Sequence, residues 1–341
     1  MVDGKCIIHL KPLELVQEEN YFFELSKYTD KITGLIEKNK LIIIPEGKRN
    51  ETLAMLKQGM EDVSFSRTKD KYWGLQVPGD SSQVMYVWCD ALSNYISAIG
   101  YTDETKQFKK YWPADVHCIG KDIMKFHTIF WPAMLLSAGL ELPKTIFVHG
   151  FINVAGQKMS KSLGNVIDPF LLVNKYGVDA VRYYLLREIL PTEDGDFTYE
   201  KFEQRYNSDL ADGIGNLLAR TIALAKKPGF IISNKPAAPW IKDGGVKRIK
   251  ENYKKQIEEF KFNEALKSIW EIIDLMNGYI NEKKPWELGI DMSQVVSDSI
   301  FILEEISDLI YPFLPETSEK IKRVLKSRNS EILFPKLLIK K

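Results

Sequence analysis

Between Gly156 and Asn165 the chain reads Gly-Gln-Lys-Met-Ser-Lys-Ser-Leu-Gly-Asn. Lys158 and Lys161 stand three apart with Met159 and Ser160 between them, and glycines flank the run. A loop of this kind is mobile and cationic. It can close over a polyphosphate and neutralise the charge that develops on a departing pyrophosphate. The order is not the Gly-x-x-x-x-Gly-Lys-Ser/Thr of a Walker loop. As a charge pattern alone, the same segment reads equally well as a solvated surface loop.

Other residue types at telling spacings lie on either side. In Gly120-Lys121-Asp122 the glycine lets backbone approach a sugar, and the carboxylate can accept hydrogen bonds from ribose hydroxyls. His127 follows five residues after Asp122, near the start of the same expected helix; taken alone, it reads as a satisfied core histidine. Trp88, Leu92 and Tyr95 fall at i, i+4 and i+7, the pattern of an aromatic pocket wall and also of a plain core face. Asn216 and Arg220 share a helix face, and Trp286 follows a proline at a helix break. Exposed tryptophan stacks unpaired bases while asparagine and arginine read base edges, although such a trio in isolation is packing plus a surface pair. Cys6-Ile7-Ile8-His9 is a Cys-x2-His pair, half of a tetrahedral zinc site. Cys89 and Cys118 read as small buried hydrophobes. From Lys320 to Lys341 eight basic residues face one acid, Glu331, which suits a solvated helix and tail or an RNA-backbone surface.

These groups need elements to hold them. Short apolar strands are expected at Val84 to Trp88, Val116 to Ile119 and Ile146 to Val148, with helices to about Ile99 and from Asp122 to about Ser137 between them. Strand–helix–strand alternation argues for a parallel, doubly wound sheet, in which ligands gather at the carboxyl ends of the strands. Earlier, Tyr21, Phe22, Leu25, Tyr28, Ile32, Leu35 and Ile36 recur at helical spacing, Leu41 to Ile44 is an apolar run, and Val63 to Arg67 alternates. Pro191 to Asp196 reads as a loop, and beyond residue 197 the pattern is that of a helical bundle. The 341 residues are 45% hydrophobic and 27% charged with a net charge of +1, which excludes bulk disorder and a global nucleic-acid-attracting field. The charge-free stretch Thr128 to Leu140 is too short to cross a bilayer, and the first residues lack an apolar signal region. Three cysteines suit a reducing compartment, so a soluble cytoplasmic protein without a membrane partner is expected.

The run Lys158 to Ser162 is the Lys-Met-Ser-Lys-Ser motif of class I aminoacyl-tRNA synthetases. Val87-Trp88-Cys89-Asp90-Ala91, Ile119 to Ile123, Phe126-His127, Phe130-Trp131-Pro132-Ala133 and Phe147-Val148-His149-Gly150 resemble the methionyl-tRNA synthetase family. So do Asn216-Leu217-Leu218-Ala219-Arg220 and Lys284-Pro285-Trp286. The resemblance implies an α/β plus all-α fold. Residues 1–83 would be the remainder of a connective insertion and 84–150 the second half of a Rossmann-like catalytic domain. Residues 151–207 would form the lysine-loop or stem-contact region, and 208–341 an anticodon-binding bundle.

It further implies methionine–tRNA ligase activity with L-methionine, ATP, Mg2+ and tRNA(Met). Lys158, Ser160 and Lys161 would be catalytic, and Gly120, Asp122, His149, Gly150, Ile152, Lys158, Met159 and Lys161 would hold ATP. Trp88, Ala91, Leu92, Tyr95 and His127 would form the methionine pocket, Leu92 departing from the proline of some members. Asn216, Arg220 and Trp286 would bind the anticodon, and Arg67 would lie near the active site. Cys6 and His9 would bind zinc only if the other half of the knuckle is supplied.

One family element has no counterpart. None of the four histidines, His9, His117, His127 and His149, stands in a His-x-Gly-His sequence. The chain thus resembles the carboxyl-terminal part of the synthetase, and activity is expected to need the amino-terminal half, which a separate chain could supply. Half a doubly wound sheet should leave an unpaired parallel edge and an uncovered apolar face. The alternative is a non-catalytic fragment that binds the tRNA anticodon.

Overall fold

The computed structural model describes residues 17–70, 72–103, 105–160, 164–227, 230–231, 233, 236–287 and 292–338. The chain divides into two units, Met1–His149 and Gly150–Lys341.

The first unit opens with β1 (Phe22–Phe23), a 3-10 turn at Leu25–Tyr28, α1 (Thr29–Glu37), β2 (Ile42–Ile44) and α2 (Glu46–Lys57). Next come β3 (Val63–Ser64), β4 (Ser66–Thr68), β5 (Gln76–Val77), β6 (Asp80–Met85), α3 (Val87–Ser97) and α4 (Lys106–Tyr111). The unit ends with β7 (Val116–Gly120), a helical stretch that finishes as α5 (Trp131–Ser137), and β8 (Thr145–His149). Strands β2, β8 and β7 form a parallel sheet in that order, with Ile43 and His117 both in register with Ile146.

The pleat sorts this sheet into two faces. Ile43, Ile146, Val148 and Ile119 join the core with Ile32 and Ile36 of α1, Leu53 and Leu56 of α2, Leu92 and Ile96 of α3, and Trp131 and Leu135 of α5. On the alternate positions Ile42 is 41% and Val116 39% exposed, and Cys118 is exposed as well. Among the described residues β7 has a partner on one side only.

Spacing predicts the first parallel strand at Val84 to Trp88, and the structure corrects this. Val84 belongs to β6, the middle strand of an antiparallel sheet with β4 and β5, and the helix begins at Val87. The third parallel strand is the apolar run at β2, whose partner β8 lies a hundred residues away, beyond the reach of local pattern. The helix expected from Tyr21 starts only at Leu25, because Phe22 and Phe23 pair with Ser64 and Val63 and the Tyr21 N–H donates to Ser66 Oγ. Cys118 is not buried: alternation gives the inward places to His117 and Ile119.

The second unit begins with β9 (Ile152–Val154) and β10 (Gln157–Lys158), then α6 (Pro169–Tyr176), α7 (Val178–Arg187), β11 (Gly195–Phe197) and α8 (Tyr199–Arg205). The stretch read as a loop, Pro191 to Asp196, thus leads into a strand that pairs with β9. A wide helical segment at Tyr206–Gly215 runs into α9 (Asn216–Ala225), followed by α10 (Pro239–Lys242), α11 (Gly245–Glu258), α12 (Phe262–Lys283), α13 (Met292–Ile310) and α14 (Pro315–Ser327). Leu266, Ile269, Ile273, Met276 and Ile280 of α12 recur every three or four residues and pack with Leu217 of α9 and Ile302, Leu303 and Ile306 of α13.

Buried carboxylates fix the connections. Asp298, wholly buried on α13, accepts from the backbone N–H groups of Ala237 and Ala238, from Gln294 Nε2 and from the Tyr279 hydroxyl. Asp179 on α7 accepts the Thr317 N–H at 2.6 Å and so satisfies a free donor at the start of α14. At the end of α12, Lys284 adopts the left-handed conformation (φ 43°) and Pro285 prevents continuation.

Candidate functional site

In the first unit an aromatic cluster forms between α3 and the helical stretch after β7. That stretch widens at Phe126–Phe130 into a π-type turn, and consecutive residues both meet α3. The Phe126 ring stacks on Trp88 with centroids 3.8 Å apart and planes 11° from parallel. His127 lies edge-on to Trp88 at 6.2 Å, and its Nε2 is 2.9 Å from the Tyr95 hydroxyl. The His127 Nδ1 is 2.9 Å from the Ile123 carbonyl, which only accepts, so Nδ1 carries the proton. A neutral ring then offers Nε2 as acceptor, and Tyr95 donates to it. Burial depresses the His127 pKa, consistent with that neutral form.

The result is an aromatic wall with one polar handle. It suits an unbranched apolar chain carrying a polarizable atom. Trp88 is half-buried and Ala91 and Tyr95 are exposed, whereas Leu92 on the same helix is fully buried in the core.

At the carboxyl ends of β7 and β8, Gly120, Asp122 and His149 converge. A Cβ placed on Gly120 would stand 2.9 Å from Asp122 Oδ1 and 3.7 Å from His149 Cε1, so only glycine leaves the carboxylate where it is. Arg67 on β4 donates from Nη1 to the Ser64 carbonyl, Ser64 Oγ and the Ser66 carbonyl, and its guanidinium lies 4.3 Å over the Tyr86 ring. It stands by Cys89, whose thiol burial pushes up to about 12.

In the second unit, β9 and β10 make a hairpin whose turn residues Ala155 (φ 50°) and Gly156 (φ 76°) are both left-handed, as a tight two-residue turn requires. The Gly156 N–H donates to Asp196 Oδ1 at 2.7 Å. Lys158 leaves the hairpin with its Nζ 4.7 Å over the Phe151 ring. Asn165 ties the base of the loop: its Oδ1 accepts the Ser160 N–H at 2.8 Å and its Nδ2 donates to the Lys158 carbonyl at 3.2 Å. Met159 is half-buried, and Lys161 lies outside the described residues. Gly150 faces Glu193 so closely that a Cβ would fall 2.0 Å from its carbonyl oxygen, and Ile152 packs on the core of this unit.

At the bundle surface Arg220 Nη2 donates to Asn281 Oδ1 at 2.8 Å, and the guanidinium sits 5.8 Å over the ring of Trp286. Trp286 is 50% exposed, and Asn216 lies exposed one turn before Arg220. A cation, an amide and an open indole face are thus presented on one surface.

Sequence reasoning joined Trp88, Tyr95 and His127 but missed Phe126, His117 and Trp131 as their neighbours, along with the bracing role of Asn165. The inward register of His117 next to Ile119 was the available signal. Cys6 and His9 lie outside the described residues. Among the described residues no three His, Cys, Asp or Glu side chains gather as a metal site, and no helix is long and apolar enough to cross a membrane.

Residues 1–222 match the family model described as tRNA synthetases class I (M), and residues 245–338 match the anticodon-binding domain of tRNA ligase. The methionine–tRNA ligase of Caldanaerobacter subterraneus subsp. tengcongensis is 43% identical, with all of this chain and 58% of that protein aligned. That of Clostridium perfringens is 46% identical over 96% of this chain and 53% of its own length. The Mycobacterium tuberculosis methionyl-tRNA synthetase in complex with methionyl-adenylate superimposes with a TM-score of 0.85 at 38% identity, covering 95% of this chain and 66% of that one. The chain spans a little over half the length of these two curated relatives. Its parallel sheet with flanking helices and its helical second unit are those of a class I synthetase. With the aromatic cluster, the lysine loop and the bundle surface all in their expected sequence order, the chain belongs to the methionyl-tRNA synthetases of class I.

Proposed function

We propose that this chain supplies the methionine pocket, the pyrophosphate-handling loop and the anticodon-reading bundle of a cytoplasmic methionine–tRNA ligase. The observation that carries the reading is the Trp88–Phe126 stack beside the Tyr95–His127 hydrogen bond, in a chain that also bears Lys-Met-Ser-Lys-Ser. In the first step the methionine carboxylate attacks the α-phosphorus of ATP in line. The bond to the β-phosphate breaks, and pyrophosphate leaves with methionyl-adenylate retained. Mg2+ arrives as part of the nucleotide substrate. In the second step a terminal ribose hydroxyl of tRNA(Met) attacks the methionyl carbonyl and AMP departs.

Each residue set has a part in this reading. Trp88, Ala91, Tyr95 and His127 enclose the methionine side chain, with Leu92 backing them from the core. Gly120 and Asp122 take the ribose, and His149, Gly150 and Ile152 line the adenine. Lys158 and Lys161 meet the departing pyrophosphate, with Met159 and Ser160 in the same loop. Asn216, Arg220 and Trp286 bind the anticodon. Residues 151–207 serve as the stem-contact region and 208–341 as the anticodon bundle.

The absence of a His-x-Gly-His sequence supports a requirement for the amino-terminal portion of the fold, and the singly partnered β7 edge supports it too. The test is methionine-dependent ATP–pyrophosphate exchange, with the chain alone and after adding the amino-terminal half of a relative. Silence alone and exchange on addition is the expected result. Exchange by the chain alone would remove the requirement for the histidine motif. Silence in both, with retained tRNA(Met) binding, would leave the anticodon-binding fragment as the function.

A further inference from the structure

His117 has no assigned part in this chemistry, yet its position is an unusual one for an imidazole. On the inward row of the parallel sheet its register neighbours are Ile146 and, beyond it, Ile43, and it is 5% exposed. A buried polar ring costs free energy unless it is hydrogen-bonded. Here the Trp131 indole N–H donates to His117 Nε2 at 3.2 Å. The His117 ring packs against Tyr95 with centroids 4.2 Å apart, and stands 6.1 Å from Trp112 and 6.4 Å from His127. Trp131 is itself buried and 6.1 Å from Tyr95.

Tyr95 is thus exposed on one side and backed on the other by an imidazole that is pinned through a second ring. Its hydroxyl has a short, directional bond to make with His127, and the phenol must hold one orientation to make it. We propose that His117 is a positioning residue for methionine recognition: by accepting the Trp131 N–H and packing on Tyr95, it holds the phenol where its hydroxyl reaches His127. Only a neutral imidazole offers Trp131 a lone pair, and burial, with His127 nearby, lowers the His117 pKa to about 4. This inference rests on the methionine–tRNA ligase reading above.

The test uses the chain complemented with the amino-terminal half, and compares His117→Leu and His117→Gln with the unaltered protein, each with and without Tyr95→Phe. His117→Leu should raise KM for methionine about tenfold, the cost of one well-placed hydrogen bond, while KM for ATP changes less than about twofold. In the Tyr95→Phe background the same substitution should have little further effect, because the hydroxyl it positions is gone. His117→Gln keeps an acceptor for Trp131 and should restore most of the methionine affinity. Methionine binding by the chain itself, followed by isothermal titration calorimetry, reads the same order without turnover and covers a Leu variant that folds poorly.

Equal rises in both KM values, or an undiminished effect in the Tyr95→Phe background, would overturn the positioning role while leaving the ligase reading intact. An unaltered protein that neither binds methionine nor supports exchange would overturn the ligase reading, and this inference with it.

Discussion

At the scale of single residues, two buried histidines, His117 and His127, brace the aromatic cluster of the first unit. Both histidines of the aromatic cluster have depressed pKa values, His117 to about 4. Between that value and the ordinary histidine value near ~6.5, the unfolded chain binds more protons than the folded one, so stability rises with pH across this window. The stabilisation is complete above pH ~6.5 and is lost as pH falls toward 4, by on the order of 3 kcal/mol from His117 alone. Thermal melts at pH 4.5, 5.5 and 7 should show this loss, and His117→Gln should flatten it. In a complete enzyme, Lys161→Ala should raise the barrier to adenylate formation by about 2–4 kcal/mol, measured as pyrophosphate exchange. Near-normal adenylation with weakened tRNA binding would instead assign the loop to RNA. Residue types and spacing offered Trp88, Tyr95, His127 and the lysines as candidates, and only the family resemblance gave them roles. Alternation with Ile119 pointed His117 inward, but its partners, and those of Phe126 and Trp131, depend on the register of β7 and the widened turn after it.

At the scale of elements, helices were more readable than strands. Helical period in α12 and α13 gives a continuous apolar stripe over many residues, whereas β1, β2 and β3 are two or three residues long, too short for their apolar or alternating pattern to show which strand each one pairs with. Val84 misled for a related reason: an apolar run beside a helix fits a parallel strand as well as the antiparallel β6. What holds the elements together is also non-local. Asp298 is sixty residues from the backbone amides it accepts, and no local pattern announces it. Asp298→Ala would leave those buried donors without partners and should cost about 3 kcal/mol, read as a lowered denaturation midpoint at unchanged slope. A loss within 0.5 kcal/mol would mean that the connection between α9 and α11 is held by other contacts.

At the scale of the molecule, the proposed methionine contacts lie in the first unit and the proposed anticodon contacts in the second, so a substitution in one can be read against the ligand of the other. Arg220→Ala removes both the bond to Asn281 and the cation over Trp286, so tRNA(Met) affinity should fall about tenfold or more while methionine binding is unchanged. Filter binding against a tRNA with an altered anticodon checks that the loss is one of sequence reading. The first unit carries the consequence of a sheet edge at β7. Cys118 is exposed on β7 two residues from the exposed Val116, and burial raises both thiols, Cys89 to about 12. One exposed sulfur therefore marks that edge. In a Cys6→Ser background, the rate at which a maleimide labels Cys118 is a clock for its coverage. Labelling that slows when the amino-terminal portion is added would date the completion of the sheet in real time, by the disappearance of a single reactive atom from solvent.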